Sequence, residues 1–412
     1  MKDKKIITKI LHSKYPKKDA HSVLRIPLYE AAAFEYPNSE SIENAFNGSV
    51  PGHVYSRASN PTVEYLEKII KDITDAKGVI AVSSGMAAIS NIMMGIVSSG
   101  KNIITSKYIF GNTYSLFSST LPSFNINFKF TDLTNQKSIE NEIDENTIAI
   151  FYETITNPQL EVADTQMLSN IAKKNNLLLI ADTTLTPPYV FNSKKHGVDV
   201  EIISCTKYIS GGGTSIGGLI IDNGIFNWNK IEKLKPFAEK FEDLALIAKL
   251  RKEVYRNFGA CLSPNNAYLQ ILGLETMPLR IDRSCSNALE LASWLKKHPK
   301  VTQINYPGLK SSSFNKTANK QFGNLYGGIL TFDLESKEKC YDFMDKLELI
   351  RRATNMNDNK SLIIHPASTI YVEFTNENLE DLGVRDTMMR LSVGIEDIED
   401  LKDDISTALQ NI

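Results

Sequence analysis

The chain has 412 residues, of which 42% are hydrophobic and 23% charged, and a net charge of −2 at neutral pH. That leaves room for two ordinary globular domains and excludes attraction of the whole chain to nucleic acid or an anionic membrane. No stretch approaches the roughly 18 apolar residues of a membrane span, and the basic opening segment MKDKKIITKILHSKYPKKDAHS lacks the apolar centre of a signal peptide.

Residues 1–60 are broken up by Pro27, Pro37, Pro51 and Gly52. They read as an extended arm with short helices that must lie against something else, such as another subunit. A helical period begins at PTVEYLEKIIKDITDAKG, where Val63, Leu66, Ile69, Ile70 and Ile73 share a face between Pro61 and Gly78. Strands and helices then alternate. GVIAVSS, NIITSK, INFKFTD, NTIAIFYET, LLLIADTT and VEIISCTK are predicted strands, and GMAAISNIMMGIVSSG, TYSLFSSTLPSF and DTQMLSNIAKKNN predicted helices. Strands as continuously apolar as Leu177 to Ala181 are expected where helices cover both faces of a parallel sheet. The expected fold is therefore α/β and doubly wound. Beyond about residue 250 the texture changes to long helices, then to short strands (GGILTFDLE, LIRRATNM, TIYVEFT) and a closing helix. This divides the chain into an arm (1–60), a large domain (61–255) and a smaller α+β C-terminal domain (256–412).

Ligands of such sheets bind beyond the carboxyl ends of the strands. Those ends carry Ser84-Gly85-Met86, Tyr108 to Tyr114, Glu153 to Pro158, Asp182-Thr183-Thr184 and Ser204 to Lys207. A lysine at a strand-to-loop corner is ordinarily a solvated surface residue. Here Lys207 is followed by the glycine run GGGTSIGG, which is neither a dinucleotide fingerprint nor a phosphate-binding P-loop and suits close backbone approach. A lysine for a Schiff base, Asp182 for a pyridine nitrogen, SSGMAAI for a phosphate at a helix start and Tyr114 for ring stacking together suit pyridoxal 5'-phosphate. Ser204 and Thr206 would add hydroxyls to the phosphate. Cys205, Cys261, Cys285 and Cys340 form no CxxC pair and the six histidines no metal-ligand spacing, which favours a reducing cytoplasm and no metal.

The stretches VYSRASNPTVEYLE, AVSSGMAAI, FGNTYSLF, FYETITNPQLEVAD, IADTTLTPP, SCTKYISGG, SLIIHPAS and MRLSVGIED extend along nearly the whole chain. Together they resemble the trans-sulfuration, or Cys/Met-metabolism, family of fold-type I pyridoxal-phosphate enzymes. The resemblance implies a mostly parallel seven-stranded sheet with a smaller α+β domain. It makes Lys207 the Schiff-base lysine, Asp182 the partner of the ring nitrogen and Tyr114 the stacking ring. Ser84, Gly85, Met86, Thr184, Ser204 and Thr206 belong to the cofactor site, Tyr55 and Arg57 reach the neighbouring subunit's phosphate, and Asn157, Asn355 and Arg390 face the substrate, Arg390 forking onto its α-carboxylate.

Within the family, FGNTYSLFSSTLP, LSPNNAYLQILGLETMPLR, WLKKHPKVTQINYPGL and NMNDNKSLIIHPAST are most similar to O-acetylhomoserine sulfhydrylases. The implied reaction joins an amino-acid substrate to a sulfur donor (sulfide, a thiol or a carrier protein) in a cytoplasmic homotetramer, with no nucleic acid or membrane partner. Cystathionine or methionine γ-lyase and cystathionine γ-synthase are the alternatives. Two departures from the sulfhydrylase pattern fall at the expected substrate mouth: Asn357 stands where glycine is usual, and Ile370-Tyr371 where threonine and histidine are usual. The loop FGNTY lacks the cysteine typical of methionine γ-lyases.

Overall fold

The computed structural model describes residues 4–14 and 21–412, so residues 1–3 and 15–20 of the basic opening segment lie outside the described residues. Seven strands form the larger sheet: β1 (Gly78–Val82), β2 (Asn102–Ser106), β3 (Asn127–Thr131), β4 (Thr147–Glu153), β5 (Leu178–Asp182), β6 (Val200–Ser204) and β7 (Gly218–Asp222). Their order is β1-β7-β6-β5-β4-β2-β3. From β6 to β3 all neighbours are parallel, whereas β7 is antiparallel to both β1 and β6. The expected mostly parallel α/β sheet is present, and β7 is a strand the sequence reading did not single out.

The apolar runs form strands because both faces are covered. Leu178 and Ile180 enter one core with Phe151, Ile202 and Ile220, while Leu179 and Ala181 enter another with Ile150 and Tyr152. This alternation by twos is what a pleated strand imposes. On the far half of the second face, Val79, Ala81, Leu219 and Ile221 pack under helix α3.

The helices needed to follow the site are α1 (Ile6–His12), α2 (Ser39–Asn47), α3 (Pro61–Thr74), α4 (Gly85–Ile96), α5 (Gly111–Ser115), α6 (Gln136–Glu142) and α7 (Thr165–Lys174). Helix α3 starts where its sequence signals put it. The Asn60 side chain accepts from the Thr62 N–H, Pro61 takes the first turn, and Val63, Leu66, Ile69, Ile70 and Ile73 are buried. Pro264–Leu295 is a single long helix capped by Ser263, with Pro278 inside it, where a series of helices was expected.

A second sheet contains β8 (Gln303–Asn305), β9 (Ile329–Asp333), β10 (Arg351–Arg352), β11 (Leu362–Ile364) and β12 (Met388–Ser392), in the order β10-β11-β12-β9-β8. Of the expected strand LIRRATNM only Arg351–Arg352 pairs. TIYVEFT is not a strand. Because β11 and β12 pair directly, the chain between them is excluded from the sheet, and Tyr371 turns into a small cluster with Ala367, Leu379, Leu382 and Val384. Ile370, Tyr371 and Phe374 here serve a packed loop.

One buried charge ties α3 to the remainder of the large unit. Glu67 is 8% exposed, accepts from the Ala81 N–H at 2.9 Å and pairs with Arg251. Arg251→Met would leave that carboxylate without its cation, a lesion of about 2–4 kcal/mol given that Arg251 is partly exposed. The urea midpoint should fall accordingly, and adding Glu67→Gln should restore part of the loss. An unchanged midpoint would remove this pair from the account of stability.

Candidate active site

The strand register sets the chemistry side by side. Glu153 ends β4 opposite Asp182, which ends β5, and Ser204 ends β6 opposite Gly218 of β7. These strand ends, the start of α4 and the edge of the second sheet enclose a cavity of about 440 Å³. Ser84, Gly85, Met86, Asn157, Asp182, Thr184, Ser204, Thr206, Lys207, Asn355 and Arg390 all line it. Of the residues expected from sequence, Tyr55, Arg57 and Tyr114 do not.

Lys207 projects into this cavity just beyond β6, and its Nζ donates to Asn355 Oδ1 at 2.9 Å. Burial lowers its pKa to about 8; the nearby Arg390 cation pushes in the same direction and Asp358 opposes it. Asp182 receives the Thr184 N–H at 2.9 Å. Burial raises its pKa, and the Thr184 hydrogen bonds oppose the rise. Glu153, 7% exposed, accepts the Phe110 N–H at 2.7 Å. Burial and then the charge of Asp182 push its pKa well above the usual range. Its place at a strand end was legible in the sequence, but nothing local revealed the second carboxyl beside it.

The start of α4 is a ready anion cradle. The Ser84 side chain accepts from the Ala87 N–H at 3.0 Å, and the Ser84 carbonyl from Ala88. The N–H groups of Gly85 and Met86 have no acceptor among the described residues and face the cavity with the positive end of the helix. The cradle is close-fitted: a Cβ on Gly85 would lie 2.8 Å from Ser204 Cβ, and one on Gly218 only 2.2 Å from the Ser84 carbonyl oxygen. Beside it, Thr206 Oγ1 accepts the Gly217 N–H at 3.3 Å.

Arg390, in the middle of β12, is 2% exposed. Its guanidinium donates to Asn157 Oδ1 at 3.2 Å and to the carbonyls of Thr354 and Asn355 at 3.0 and 3.1 Å. All these acceptors are neutral. Arg390 Nε and Asn157 Nδ2 are buried without any acceptor. Burial lowers the Arg390 pKa to about 10. A buried cation with spare donors beside a cavity has the chemistry to accept an anionic group such as a carboxylate.

Tyr114 instead packs against Phe130 and Phe374, with centroids 4.9 and 5.7 Å away, while Phe110, Asn112 and Thr113 of the same loop line the cavity. Tyr55 and Arg57 are exposed, with the guanidinium 5.6 Å over the tyrosine ring and Nη1 on the Arg256 carbonyl at 2.7 Å. Both sequence departures have structural explanations. Asn357 has φ 55°, the left-handed conformation that asparagine tolerates in place of glycine. Ile370 lines the cavity, and the Tyr371 hydroxyl donates to the Asn157 carbonyl at 3.4 Å.

The family model described as Cys/Met metabolism PLP-dependent enzyme matches residues 7–410. The O-acetyl-L-homoserine sulfhydrylase of Leptospira meyeri is 36% identical over 409 residues, covering 94% of this chain and 92% of that protein. An L-methionine gamma-lyase of Fusobacterium nucleatum is 33% identical over 397 residues, covering 96% and 95%. Among solved structures, an O-acetylhomoserine sulfhydrylase of Wolinella succinogenes, described in terms of sulfur transfer in methionine biosynthesis, is 51% identical with a TM-score of 0.78 and covers 86% of this chain and 98% of that one. An O-acetylhomoserine (thiol)-lyase of Campylobacter jejuni, holding pyridoxyl-lysine monophosphate, is 34% identical with a TM-score of 0.93 and covers 99% and 100%.

The close fit at Gly218 is testable. Gly218→Ala presses a methyl group onto main chain that cannot yield, at a cost of about 1–3 kcal/mol. Much of that should fall on the α4 cradle, so retention of pyridoxal phosphate should weaken about tenfold for each 1.4 kcal/mol. Equilibrium dialysis with absorbance of the bound cofactor measures this, and undiminished retention would count against the cradle.

Proposed function

Given that the chain belongs to the Cys/Met metabolism family of PLP-dependent enzymes, we propose that it catalyses γ-replacement on O-acetylhomoserine. A sulfur donor, sulfide in the simplest case, gives homocysteine and acetate: the Cγ–O bond breaks and a Cγ–S bond forms. The sulfhydrylase relatives and the 51% identical solved structure support this assignment. So does the pairing of a lysine amine with a carboxylate receptor, Arg390 and Asn157, in one cavity.

The cavity residues fit pyridoxal phosphate. The unused N–H groups of Gly85 and Met86, with Ser204 and Thr206, would hold its phosphate, Asp182 its ring nitrogen and Lys207 its aldehyde carbon. When bound there, the cofactor supplies an electron sink for charge that develops on the substrate carbons. The protein supplies the rest. Arg390 and Asn157 grip the α-carboxylate and so orient the Cα–H bond toward Lys207. With a pKa near 8, the free Lys207 amine is partly unprotonated at neutral pH and takes a proton from Cα, then moves one at Cβ. A cationic ring nitrogen at Asp182 would favour the ionised form of that carboxyl against the burial that disfavours it.

The early part of the arm stays on its own chain, with Ile10 and Ile26 in the core beside α3 and Arg25 paired with Glu275; the later part brings Tyr55 and Arg57 to the neighbouring subunit's phosphate, within a cytoplasmic homotetramer built of active dimers. The large and small domains divide near residue 255. The exposure of Tyr55 and Arg57, away from the cavity of their own chain, supports this reading. The absence of a cysteine from FGNTY favours replacement over a methionine γ-lyase.

Incubation with O-acetylhomoserine and sulfide should yield homocysteine; 2-oxobutyrate in its place would establish elimination. Arg390→Lys keeps the charge and loses the fork, and should lower kcat/KM for the amino acid roughly 10- to 100-fold. The absorbance of the bound cofactor and the apparent affinity for sulfide should stay nearly constant, and an equal loss for both substrates would move the carboxylate role elsewhere. Arg57→Ala and Lys207→Ala proteins, each inactive, should regain part of the activity when their subunits are exchanged. No recovery on demonstrated exchange would return Arg57 to its own subunit.

A further inference from the structure

Among the described residues Lys207 has one side-chain hydrogen-bond partner, and that partner is itself held. Lys207 Nζ donates to Asn355 Oδ1 at 2.9 Å, and Asn355 Nδ2 donates to Asp358 Oδ2 at 3.0 Å. We propose that Asp358 is a positioning residue for the Lys207 amine, acting through the Asn355 carboxamide.

A carboxamide accepts at one end and donates at the other, and an ionised carboxylate only accepts. Asp358 therefore draws the NH₂ end of Asn355 to itself and turns the oxygen toward Lys207. The reverse orientation would set an NH₂ group against the amine and an oxygen against the carboxylate. Asp358 is well placed to enforce the choice: its side chain is 9% exposed, and its Oδ1 accepts the Lys360 N–H at 3.2 Å.

The surrounding backbone is shaped to this relay. Gly213, at φ +62°, lets the loop after Lys207 approach, since a Cβ there would lie 2.9 Å from Asp358 Oδ2 and 3.3 Å from Asn355 Nδ2. The turn between Asn355 and Asp358 passes through Asn357 at φ 55°, whose N–H donates to Ser392 Oγ at 2.7 Å. The relay is thus tied to β12, the strand that carries Arg390, and the Asn355 carbonyl accepts from Arg390 itself.

Charge acts along the same line. Arg390 and Asp358 are the charged groups that act on Lys207, with opposite signs. Asp358 in turn faces Lys207, Arg280 and Lys360. Asp358 therefore favours the protonated amine while aiming it. Its removal should free the Asn355 amide to turn and leave Arg390 unopposed, so the Lys207 pKa should fall.

The inference rests on Lys207 being the base of the proposed reaction. In the full-length holoenzyme, Asp358→Asn should lower kcat about tenfold with KM for O-acetylhomoserine nearly unchanged, because Arg390 and Asn157 are untouched. On an Asn355→Ala background the same change should cost nothing more. The second readout does not depend on turnover: the pH dependence of the rate at which cofactor-stripped full-length protein takes up pyridoxal phosphate, which follows unprotonated Lys207. Its midpoint should move to lower pH in Asp358→Asn and to higher pH in Asn355→Asp, opposite signs that general damage would not produce. Losses that multiply in the double variant, or a midpoint that fails to fall in Asp358→Asn, would overturn the relay. Borohydride trapping of the wild-type chromophore on another lysine would instead overturn the role of Lys207 itself.

Discussion

The site depends on a close approach between two pieces of main chain. At the carboxyl edge of the large sheet, β7 begins beside the turn that starts α4, with Gly218 against the Ser84 carbonyl. Since β7 runs antiparallel between β1 and β6, it fixes the distance between those two strands and hence between the α4 cradle and Ser204 to Lys207. A side chain at Gly218 would force them apart. The anion donors and the reactive amine lie across one cavity because that contact has no side chain in it.

The second constraint is electrostatic. Arg390 is enclosed with neutral acceptors only, Lys207 faces Arg390, and Glu153 and Asp182 sit side by side. Buried charges without counter-ions are costly unless something else satisfies them. On the proposed function a ligand would supply the partners: a carboxylate for Arg390 and Asn157, a phosphate for the α4 cradle and a cationic ring nitrogen for Asp182. The protein carries an arrangement that is incomplete alone, which makes binding the step that relieves it.

Much of this was legible in the sequence where the signal was periodic or terminal. The apolar runs of β4, β5 and β6 announced a sheet buried on both faces, and the residues that end those runs are the ones that meet in the cavity. Elsewhere the local pattern misled. TIYVEFT has the β-branched and aromatic residues of a strand, yet Ile370, Tyr371 and Phe374 serve a loop cluster because β11 and β12 leave no edge between them. Tyr114 directly follows cavity-lining Thr113, and its ring packs against Phe130 and Phe374. Asn357 departs from the family pattern in residue type and keeps the backbone conformation that the pattern implies.

By itself the sequence determined six of the seven strands of the large sheet, the starts of α3 and α4 and the residue types at each strand end, because turns and periods are set within a few neighbouring residues. It did not determine which strand-end residues touch. Glu153 and Asp182 become a pair only through the register of β4 on β5. Lys207 and Asn355 are 148 positions apart, and Arg390 and Asn157 are 233. Contacts over such separations leave no local trace, since they exist only once the second sheet has docked over the carboxyl edge of the first.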